Sequence, residues 1–340
     1  MSSDKLSLVA KKLCETPKGI LAADESTNTI KKRFNSINVE SNFEMRRNYR
    51  ELLFKTPNLN KFISGVILYD ETIRQSDSNN LPLAEYLSIN GIIPGIKVDI
   101  GAIPLEKNSP EKLTEGLDGL EKRLEEYKSL GAIFTKWRAI ISINTKENFP
   151  SNYCIESNSF NLARYAKIVQ DCEMVPIVEP EVIMDGDHSI EDCYEVTTKT
   201  LKNVFKQLEL HKVFLEGILL KPNMVISGTL NEKQASVDKV ADLTLECLQE
   251  CVPKEVPGIV FLSGGQSNEL ATEHLNKMNK KGKDLPWNLS FSYGRALQQP
   301  SLSNWLGKED NIALAQEALY NRSRFNSDAT LGNYDSKNEK

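Results

Sequence analysis

The sequence predicts an α/β protein that folds as a single (β/α)8, or TIM, barrel. Eight short apolar runs recur through its 340 residues, and most are apolar almost without a break, as parallel strands covered on both faces are. Helix-like segments lie between these runs, and no stretch has the composition of a linker. A doubly wound open sheet would accept the same alternation, but the count of eight strands favours closure into a barrel.

The strand-like runs share one pattern, an apolar stretch that ends on polar or charged residues. They are GILAADES (19–26), ISGVILYDET (63–72), GIIPGIKVDIG (91–101), AIFTKWRAIISI (132–143), MVPIVEPEV (174–182), EGILLKPNMV (216–225), GIVFLSGGQS (258–267) and WNLSFSYGRAL (287–297). Because a barrel of this type builds its active site at the carboxyl ends of its strands, the residues at these ends are the candidates for function.

The segments between the runs have helical periodicity. In LDGLEKRLEEYKSLG (117–131), apolar residues recur on one stripe and a glycine follows. Ser159 and Ser189 are the predicted N-caps of the next two helices. The remaining helical segments are 231–252, 268–282 and 308–325.

Composition and charge restrict the class of protein. With 40% hydrophobic and 26% charged residues, the chain is typical of soluble globular proteins, and a net charge of −5 gives no sign of a nucleic-acid surface. No window approaches the about 18 apolar residues of a membrane span, and the N-terminus lacks the pattern of a signal peptide. Six cysteines without such a signal indicate reduced thiols. We expect a cytoplasmic protein with no nucleic-acid or membrane partner.

The predicted domain organisation is simple. Residues 1–325 are expected to form the barrel. Residues 326–340, which are polar and aperiodic, are expected to form a flexible C-terminal tail.

Cys247 and Cys251, four residues apart on a predicted helix, form the arrangement that most suggests a metal ligand pair. No histidine lies near them in sequence, and the three histidines of the chain show no ligand spacing. Two semi-buried helix cysteines are the better interpretation, so no metal site is predicted.

Lys221 follows an apolar stretch that reads as a buried strand. Leu219 and Leu220 precede it and Pro222 follows, so its amine is expected inside the barrel. Burial and a second lysine, Lys136, would disfavour the ammonium form. A neutral lysine attacks carbonyl carbons to form a Schiff base, and the resulting iminium group withdraws electrons from a neighbouring carbon–carbon bond. The sequence around Lys221 therefore predicts Schiff-base chemistry.

Such chemistry needs a carboxyl group that moves protons. Glu179 and Glu181, two apart on a predicted strand, point the same way. Asp24 offers a third carboxylate from another strand end. Glu179 and Glu181 also fit a structural role as ion-pair partners of the lysines, and the two roles are compatible.

Glycines and cations at the ends of the last two strands predict an anion site. LSGGQS (262–267) and SYGRA (292–296) occupy the position where this fold usually binds phosphate. Glycine lets a ligand approach the backbone, and Arg295 adds a positive charge. Further cations that could form a second basic region on the rim are Arg33, Lys97 and Arg138. We therefore expect an anionic ligand.

In combination, these stretches resemble the class I, Schiff-base fructose-bisphosphate aldolases. The matching motifs follow in the family's order from about residue 5 to 325: GILAADES, SGVILYDET, GIKVD, KWR, ARYA, IVEPE, GDH, LLKPNM, FLSGGQS and FSYGRAL. The resemblance implies a TIM barrel that reversibly cleaves fructose 1,6-bisphosphate to dihydroxyacetone phosphate and glyceraldehyde 3-phosphate. It also implies that the reaction belongs to glycolysis and gluconeogenesis and that the enzyme needs no metal or other cofactor.

The resemblance also implies a role for each candidate residue. Lys221 would form the Schiff base and Glu179 would transfer the protons of imine formation, with Glu181 beside it. Lys136 would stand next to the carbinolamine, and Asp24 would position hydroxyls and assist carbon–carbon cleavage. The ketone-side phosphate would be held by Ser263, Gly264, Gly265, Ser292, Gly294 and Arg295. The other end of the substrate would meet Arg33 and Lys97, with Arg46 and Arg138 as further candidates.

Members of the family are cytosolic homotetramers, which the resemblance implies here. Vertebrate-type members end on a tyrosine that helps to protonate the enamine. Here Tyr334 is the last tyrosine, so either Tyr334 or water is expected in that role. The alternatives are a metal-dependent aldolase, which would need clustered histidines, and a scaffolding homologue, for example one that binds actin.

Overall fold

A computed structural model describes residues 3–339, and eight of its strands close into a parallel barrel. Around the barrel the order is β1-β10-β9-β8-β7-β6-β3-β2. These strands are β1 (Gly19–Ala23), β2 (Ile63–Leu68), β3 (Ile93–Lys97), β6 (Phe134–Ile141), β7 (Val175–Val182), β8 (Leu219–Leu220), β9 (Gly258–Phe261) and β10 (Asn288–Tyr293). Each lies within one of the predicted apolar runs. The prediction of a (β/α)8 barrel is confirmed.

The strands alternate with helices that cover the outside of the barrel, except for α1, whose side chains reach its lower end. The helices are α1 (Ser3–Leu13), α2 (Thr27–Asn35), α3 (Phe43–Phe54), α4 (Asp70–Ile73), α5 (Leu83–Ile89), α6 (Leu120–Ser129), α7 (Asn152–Asp171), α8 (Ile190–Leu210), α9 (Val237–Cys251), α10 (Asn268–Lys281), α11 (Arg295–Trp305) and α12 (Ile312–Thr330). Short 3-10 helices occur at Leu59–Lys61, Leu215–Gly217, Glu309–Asn311 and Ser336–Glu339. Among residues 3–339, no helix combines the length and apolar character needed to cross a membrane.

The two predicted N-caps have different outcomes. Ser189 caps α8, because its hydroxyl accepts from the backbone N–H of Asp192 while the Asp192 carboxylate accepts from the N–H of Ser189. The prediction for Ser159 is wrong, since α7 begins at Asn152 and is capped by Ser151, eight residues before Ser159. The added turns bury Cys154 and Ile155, so packing extends this helix beyond the point that the local capping pattern indicated.

The core has two layers. Outward-facing strand residues pack against the helices, and inward-facing residues fill the lower barrel with side chains from α1, including Leu6 and Leu13. Phe134 from β6 occupies this inner layer. A Cβ atom at Gly95 would lie 2.3 Å from the Phe134 ring, so glycine on β3 is what lets the ring fill the barrel. The closed lower end leaves the carboxyl ends of the strands as the open end.

A hairpin at the carboxyl end of the barrel was not predicted. Strands β4 (Gly101–Pro104) and β5 (Lys112–Glu115) pair antiparallel. They are short and only partly buried, so they lack the continuous apolar pattern that indicated the barrel strands. Ala102 and Thr114 of this hairpin reach the cavity described below.

The C-terminal residues pack against the barrel's helices. Helix α12 continues past residue 326, where the tail was predicted to begin, and ends at Thr330. Tyr334 is buried, and its hydroxyl donates to Glu339 at 2.8 Å. Glu339 also pairs with Arg322 at 2.5 Å. Polar side chains of this segment thus form hydrogen bonds and an ion pair. The flexibility of residues 326–340 stays a prediction.

Candidate active site

A cavity of about 860 Å³ opens at the carboxyl ends of the barrel strands. Eight basic and seven acidic side chains line it, whereas the whole chain carries a net charge of −5. The cavity is therefore less acidic than the rest of the protein, which suits an anionic ligand. Its walls include thirteen of the predicted site residues: Asp24, Arg33, Lys97, Lys136, Arg138, Glu179, Glu181, Lys221, Ser263, Gly264, Ser292, Gly294 and Arg295.

Strand register turns the charged side chains of β3, β6 and β7 toward the same face of the barrel wall. Lys97 of β3 stands opposite Lys136 of β6, and Arg138 stands opposite Glu179 of β7. Lys221 directly follows the last residue of β8. Because successive side chains of a strand point to opposite faces, residues at matching positions of neighbouring strands face the same side. The register therefore directs these groups into the cavity.

Four of these groups form a row of alternating charge. Lys221 Nζ lies 3.0 Å from Glu179 Oε1, and Lys136 Nζ lies 3.2 Å from the other oxygen of the same carboxylate. Lys136 Nζ is also 2.7 Å from Asp24 Oδ2. The side chains are between 4% and 13% exposed, so these contacts are little screened by solvent.

The charge state of the row follows from these contacts. Burial by itself would raise the pKa of Asp24, but Lys136 and Lys221 outweigh it and lower the pKa below its ordinary value. The pKa of Glu179 is lowered against burial by the same two lysines and by Arg138. Burial opposes the charge of Lys136, yet Asp24 and Glu179 raise its pKa. At neutral pH both carboxylates and the Lys136 ammonium group are charged.

Two further basic residues of the wall, Arg138 and Lys97, have carboxylate partners. The Arg138 guanidinium donates to Glu181, which raises the pKa of Arg138 although partial burial opposes its charge. Lys97 Nζ donates to the carboxylate of Asp99 and, at 2.8 Å, to its carbonyl oxygen. These pairs hold the long side chains in place without removing them from the cavity wall.

Groups from the last two strands form the opposite side of the cavity. Ser263 and Gly264 follow β9, while Ser292 belongs to β10 and Arg295 begins α11. Arg295 donates to Asn268 Oδ1 and to the carbonyl oxygen of Gly264, each at 3.3 Å. Burial, followed by the charge of Arg33, lowers the pKa of Arg295. The buried Ser292 hydroxyl has no hydrogen-bond partner within residues 3–339, so it is available to an oxygen atom of a ligand.

Two predicted site residues lie outside the cavity wall. Arg46 of α3 donates to both carboxylate oxygens of Glu71 at 2.7 Å, which ties its guanidinium to the α4 region. The N–H of Gly265 faces Sδ of Met184 at 2.6 Å. The structure therefore does not bring Arg46 or Gly265 to the site.

Sequence reasoning also missed part of the wall near Asp24. Glu25 is buried, pairs with Arg33 and Arg50, and accepts from Gln298 Nε2 at 2.8 Å. Ser26 caps α2 and brings the start of that helix to the cavity. The signal was present, because these residues follow Asp24 at the same strand end and Ser26 has the character of an N-cap.

A metal site needs several ligand side chains close together. Within residues 3–339, no cluster of three or more His, Cys, Asp or Glu side chains could hold a metal ion. Cys247 and Cys251 are buried in α9, where Thr198 donates to Cys247 at 3.3 Å. The two cysteines lie on a helix as predicted, but they are buried and not semi-buried.

The fold and site define a (β/α)8 barrel that carries a buried centre of lysines and carboxylates at its open end. The family described as "Glycolytic: Fructose-bisphosphate aldolase class-I" matches residues 5–340. The chain belongs to this class I fructose-bisphosphate aldolase family, as its motifs had indicated. It is a carbon–carbon lyase of glycolysis that acts on fructose 1,6-bisphosphate.

Individual relatives agree over nearly the whole chain. A probable fructose-bisphosphate aldolase class 1 from Xanthomonas axonopodis pv. citri is 54% identical over 98% of this chain and 99% of its own length. A fructose-bisphosphate aldolase of Plasmodium falciparum is 49% identical over 98% of this chain and 90% of its own. A solved structure of the aldolase from Plasmodium falciparum, in complex with TRAP and a small-molecule inhibitor, superposes with a TM-score of 0.96 at 49% identity. It covers 98% of this chain and 96% of the solved chain.

Proposed function

We propose that Lys221 forms the Schiff base with the ketone of fructose 1,6-bisphosphate and that Glu179 transfers the protons of this step. The observation that carries the proposal is the 3.0 Å contact between Lys221 Nζ and Glu179 Oε1. A base within hydrogen-bond distance of the amine can take its proton, which frees the lone pair for attack on carbon. The second lysine, Lys136, supplies a fixed positive charge on the other side of the same carboxylate.

The reaction follows from these groups. Glu179 takes a proton from the amine of Lys221, Nζ bonds to C2, and a second proton moves from the nitrogen to the ketone oxygen to give the carbinolamine. Glu179 then returns a proton to the carbinolamine hydroxyl, which leaves as water and gives the iminium ion. When the C3–C4 bond breaks, its electron pair moves toward the iminium nitrogen and the C4 hydroxyl loses its proton. Asp24 is the carboxylate for that proton, because Lys136 holds it at 2.7 Å and keeps it ionised.

The enamine that remains must gain a proton at C3 before the imine is hydrolysed. Tyr334 and water are the two expected donors. Tyr334 is 4% exposed, does not line the cavity, and donates its hydroxyl proton to Glu339. This position favours water as the donor that we propose.

The phosphate groups of the substrate would occupy two parts of the cavity. Ser263, Gly264, Ser292, Gly294 and Arg295 would hold the phosphate on the ketone side, where glycine backbone and a guanidinium group come together. Arg33 and Lys97 would meet the phosphate at the other end. The Arg138–Glu181 pair contributes a further polar part of the cavity wall. Gly265 and Arg46 have no part in this proposal, since both lie outside the cavity wall.

Borohydride reduction tests the proposed nucleophile. We expect that treatment in the presence of dihydroxyacetone phosphate leaves one stable adduct, which peptide mapping places on Lys221. The Lys221→Met variant should fold, take up no label and lose cleavage activity, because the side chain supplies the bond-forming nitrogen. A label on Lys136, or turnover by the Lys221→Met variant, would refute the assignment.

The assembly and location are part of the same proposal. We propose a cytosolic homotetramer, as in the family that this chain resembles along nearly its whole length. Light scattering on the purified protein should give four times the chain mass of 38.3 kDa. A monomeric or dimeric mass at working concentration would contradict the tetramer without affecting the assignment of the site.

A further inference from the structure

A buried row of hydrogen bonds connects helix α10 to the loop that follows β9. His274 Nδ1 lies 2.6 Å from Gln266 Oε1. Gln266 Nε2 donates to the carbonyl oxygen of Ser263 at 3.1 Å. His274 and Gln266 are only 2% and 4% exposed, so water does not compete for these bonds. Neither side chain belongs to the cavity wall.

The partners along this row determine one another's orientation. A backbone carbonyl accepts but cannot donate, so the Ser263 oxygen requires the NH2 group of Gln266 on its side. The amide oxygen of Gln266 must then face His274, which in turn must present an N–H. His274 Nε2 has no hydrogen-bond partner within residues 3–339. Burial lowers the pKa of His274 to about 4, so the ring is neutral and carries its proton on Nδ1.

The backbone of Gln266 contacts the same loop and the neighbouring cation. Its N–H donates to the carbonyl oxygen of Ser263 at 3.3 Å, and its carbonyl oxygen accepts from the Arg295 guanidinium group. One residue therefore bonds to both Ser263 and Arg295. The loop between them contains Gly264, whose φ of +55° lies in the left-handed region, and glycines hold no conformation by themselves. The conformation of this loop must therefore be held by hydrogen bonds to other residues.

We propose that Gln266 and His274 are positioning residues for phosphate binding. Gln266 holds the Ser263 loop and Arg295 at a fixed separation, and His274 holds the Gln266 amide in the orientation that this requires. The inference rests on the proposed role of Ser263 and Arg295 in binding the ketone-side phosphate. It adds a specific means by which residues outside the cavity set the affinity of that site.

The His274→Leu and His274→Asn variants test this proposal. Leucine removes the donor at nearly constant volume, whereas the amide nitrogen of asparagine can take the place of Nδ1. For His274→Leu we expect a KM for fructose 1,6-bisphosphate, and a competitive inhibition constant for inorganic phosphate, raised about threefold to tenfold, as for loss of one buried hydrogen bond. The kcat should stay within about twofold, because the Lys221–Glu179 pair is untouched. In the His274→Asn variant, both the KM and the phosphate inhibition constant should return to the values of the unmodified protein.

A control on the same helix separates positioning from general damage. Asn279 of α10 donates to the carbonyl oxygens of Leu275 at 3.1 Å and Leu289 at 3.3 Å, and neither of these bonds involves the loop that follows β9 or Arg295. Asn279→Leu should lower thermal stability and leave the phosphate inhibition constant unchanged. If His274→Leu does not fold, Gln266→Met, which keeps the length of the side chain, is measured in its place with the same expectation.

Each outcome has a defined meaning. An unchanged phosphate constant in folded His274→Leu, or an equal rise in Asn279→Leu, would overturn the inference. Arg295→Ala serves as the reference for the site itself. If that variant also binds phosphate normally, the proposed phosphate site fails and the inference fails with it. If Arg295→Ala weakens phosphate and His274→Leu does not, only the positioning role is lost.

Discussion

The amine nitrogen of Lys221 lies 3.0 Å from one carboxylate oxygen of Glu179. The other oxygen of that carboxylate is 3.2 Å from Lys136. One buried carboxylate thus serves two lysines that have different expected tasks. The amine of Lys221 must lose a proton to react, whereas Lys136 keeps its charge because Asp24 and Glu179 raise its pKa against the effect of burial.

Replacing Glu179 by glutamine should slow the reaction at imine formation. The amide cannot accept the proton of Lys221, so we expect kcat to fall about 100- to 10,000-fold. The rate of borohydride trapping with dihydroxyacetone phosphate should fall in parallel. As a control, Glu111→Gln changes a buried glutamate that accepts from Ser151 at 2.7 Å outside the cavity, and its kcat should be unaffected. Normal trapping by Glu179→Gln would exclude Glu179 as the proton carrier.

Replacing Arg295 by alanine should weaken binding of the ketone-side phosphate. A charge-assisted hydrogen bond at this partly buried position contributes about 1.5–3 kcal/mol, so KM should rise roughly 10- to 150-fold. Because fructose 1-phosphate carries the same phosphate, its KM should rise by a similar factor. Steady-state kinetics on the two sugars measures this.

The complementary variant is Arg33→Ala. Arg33 is assigned to the other phosphate, so its loss should raise KM for fructose 1,6-bisphosphate and leave KM for fructose 1-phosphate nearly unchanged. The variant also frees one side of Glu25, which keeps its contact with Arg50 at 2.7 Å. Equal effects on both sugars would mean that the two ends of the substrate are assigned incorrectly.

Chelation should not affect catalysis. We expect the same kcat before and after dialysis against a strong chelator, because the proposed mechanism uses the Lys221 iminium group as its electron acceptor. The Lys221→Met variant, assayed in parallel with added Zn²⁺, is the control for metal-assisted cleavage. Loss of activity on dialysis with recovery on adding Zn²⁺ would favour the metal-dependent alternative.

Acidic pH should reduce stability partly through His274. In the unfolded chain a histidine binds a proton below about pH 6.5, whereas burial lowers the pKa of His274 to about 4 in the folded protein. Between these values the unfolded state holds more protons, so the free energy of unfolding falls as pH falls, by up to roughly 1.4 kcal/mol per pH unit. Urea unfolding at several pH values should show a shallower dependence for His274→Leu. An identical slope would contradict a neutral buried ring.

The barrel could be predicted from the sequence, because parallel strands that are buried on both faces must be apolar along their length. The positions of Lys221 and Glu179 could be predicted for a related reason, since a charged residue at the end of such a run is expected at the open end of the barrel. The hairpin β4–β5 has neither feature, as it is short and partly exposed. Ser159 was predicted as an N-cap because capping depends on residues that are adjacent in sequence. Helix α7 starts earlier because Cys154 and Ile155 are buried, and their burial depends on residues that are distant in sequence.

Residues outside strand ends were harder to assign for a physical reason. Arg46 has the same charge as Arg33, but its partner Glu71 is 25 residues away in sequence, and no pattern of spacing reveals that pairing. The interaction of His274 with Gln266 has the same character, because it depends on a helix facing back onto the loop that precedes it. Such contacts become visible only when the packing is known.

The first and last barrel strands, β1 and β10, lie side by side, and the hydroxyl of Ser290 donates to the carbonyl oxygen of Lys18 at 2.7 Å. A nascent chain that has been synthesised as far as β9 already contains Lys221 and Glu179. Strand β1, which precedes Asp24, still lacks its neighbour β10, and Arg295 has not been synthesised. Turnover would therefore begin only after translation has passed these final segments. The onset of enzyme activity during synthesis would then mark the time at which β1 and β10, the first and last strands of the barrel, pair with each other.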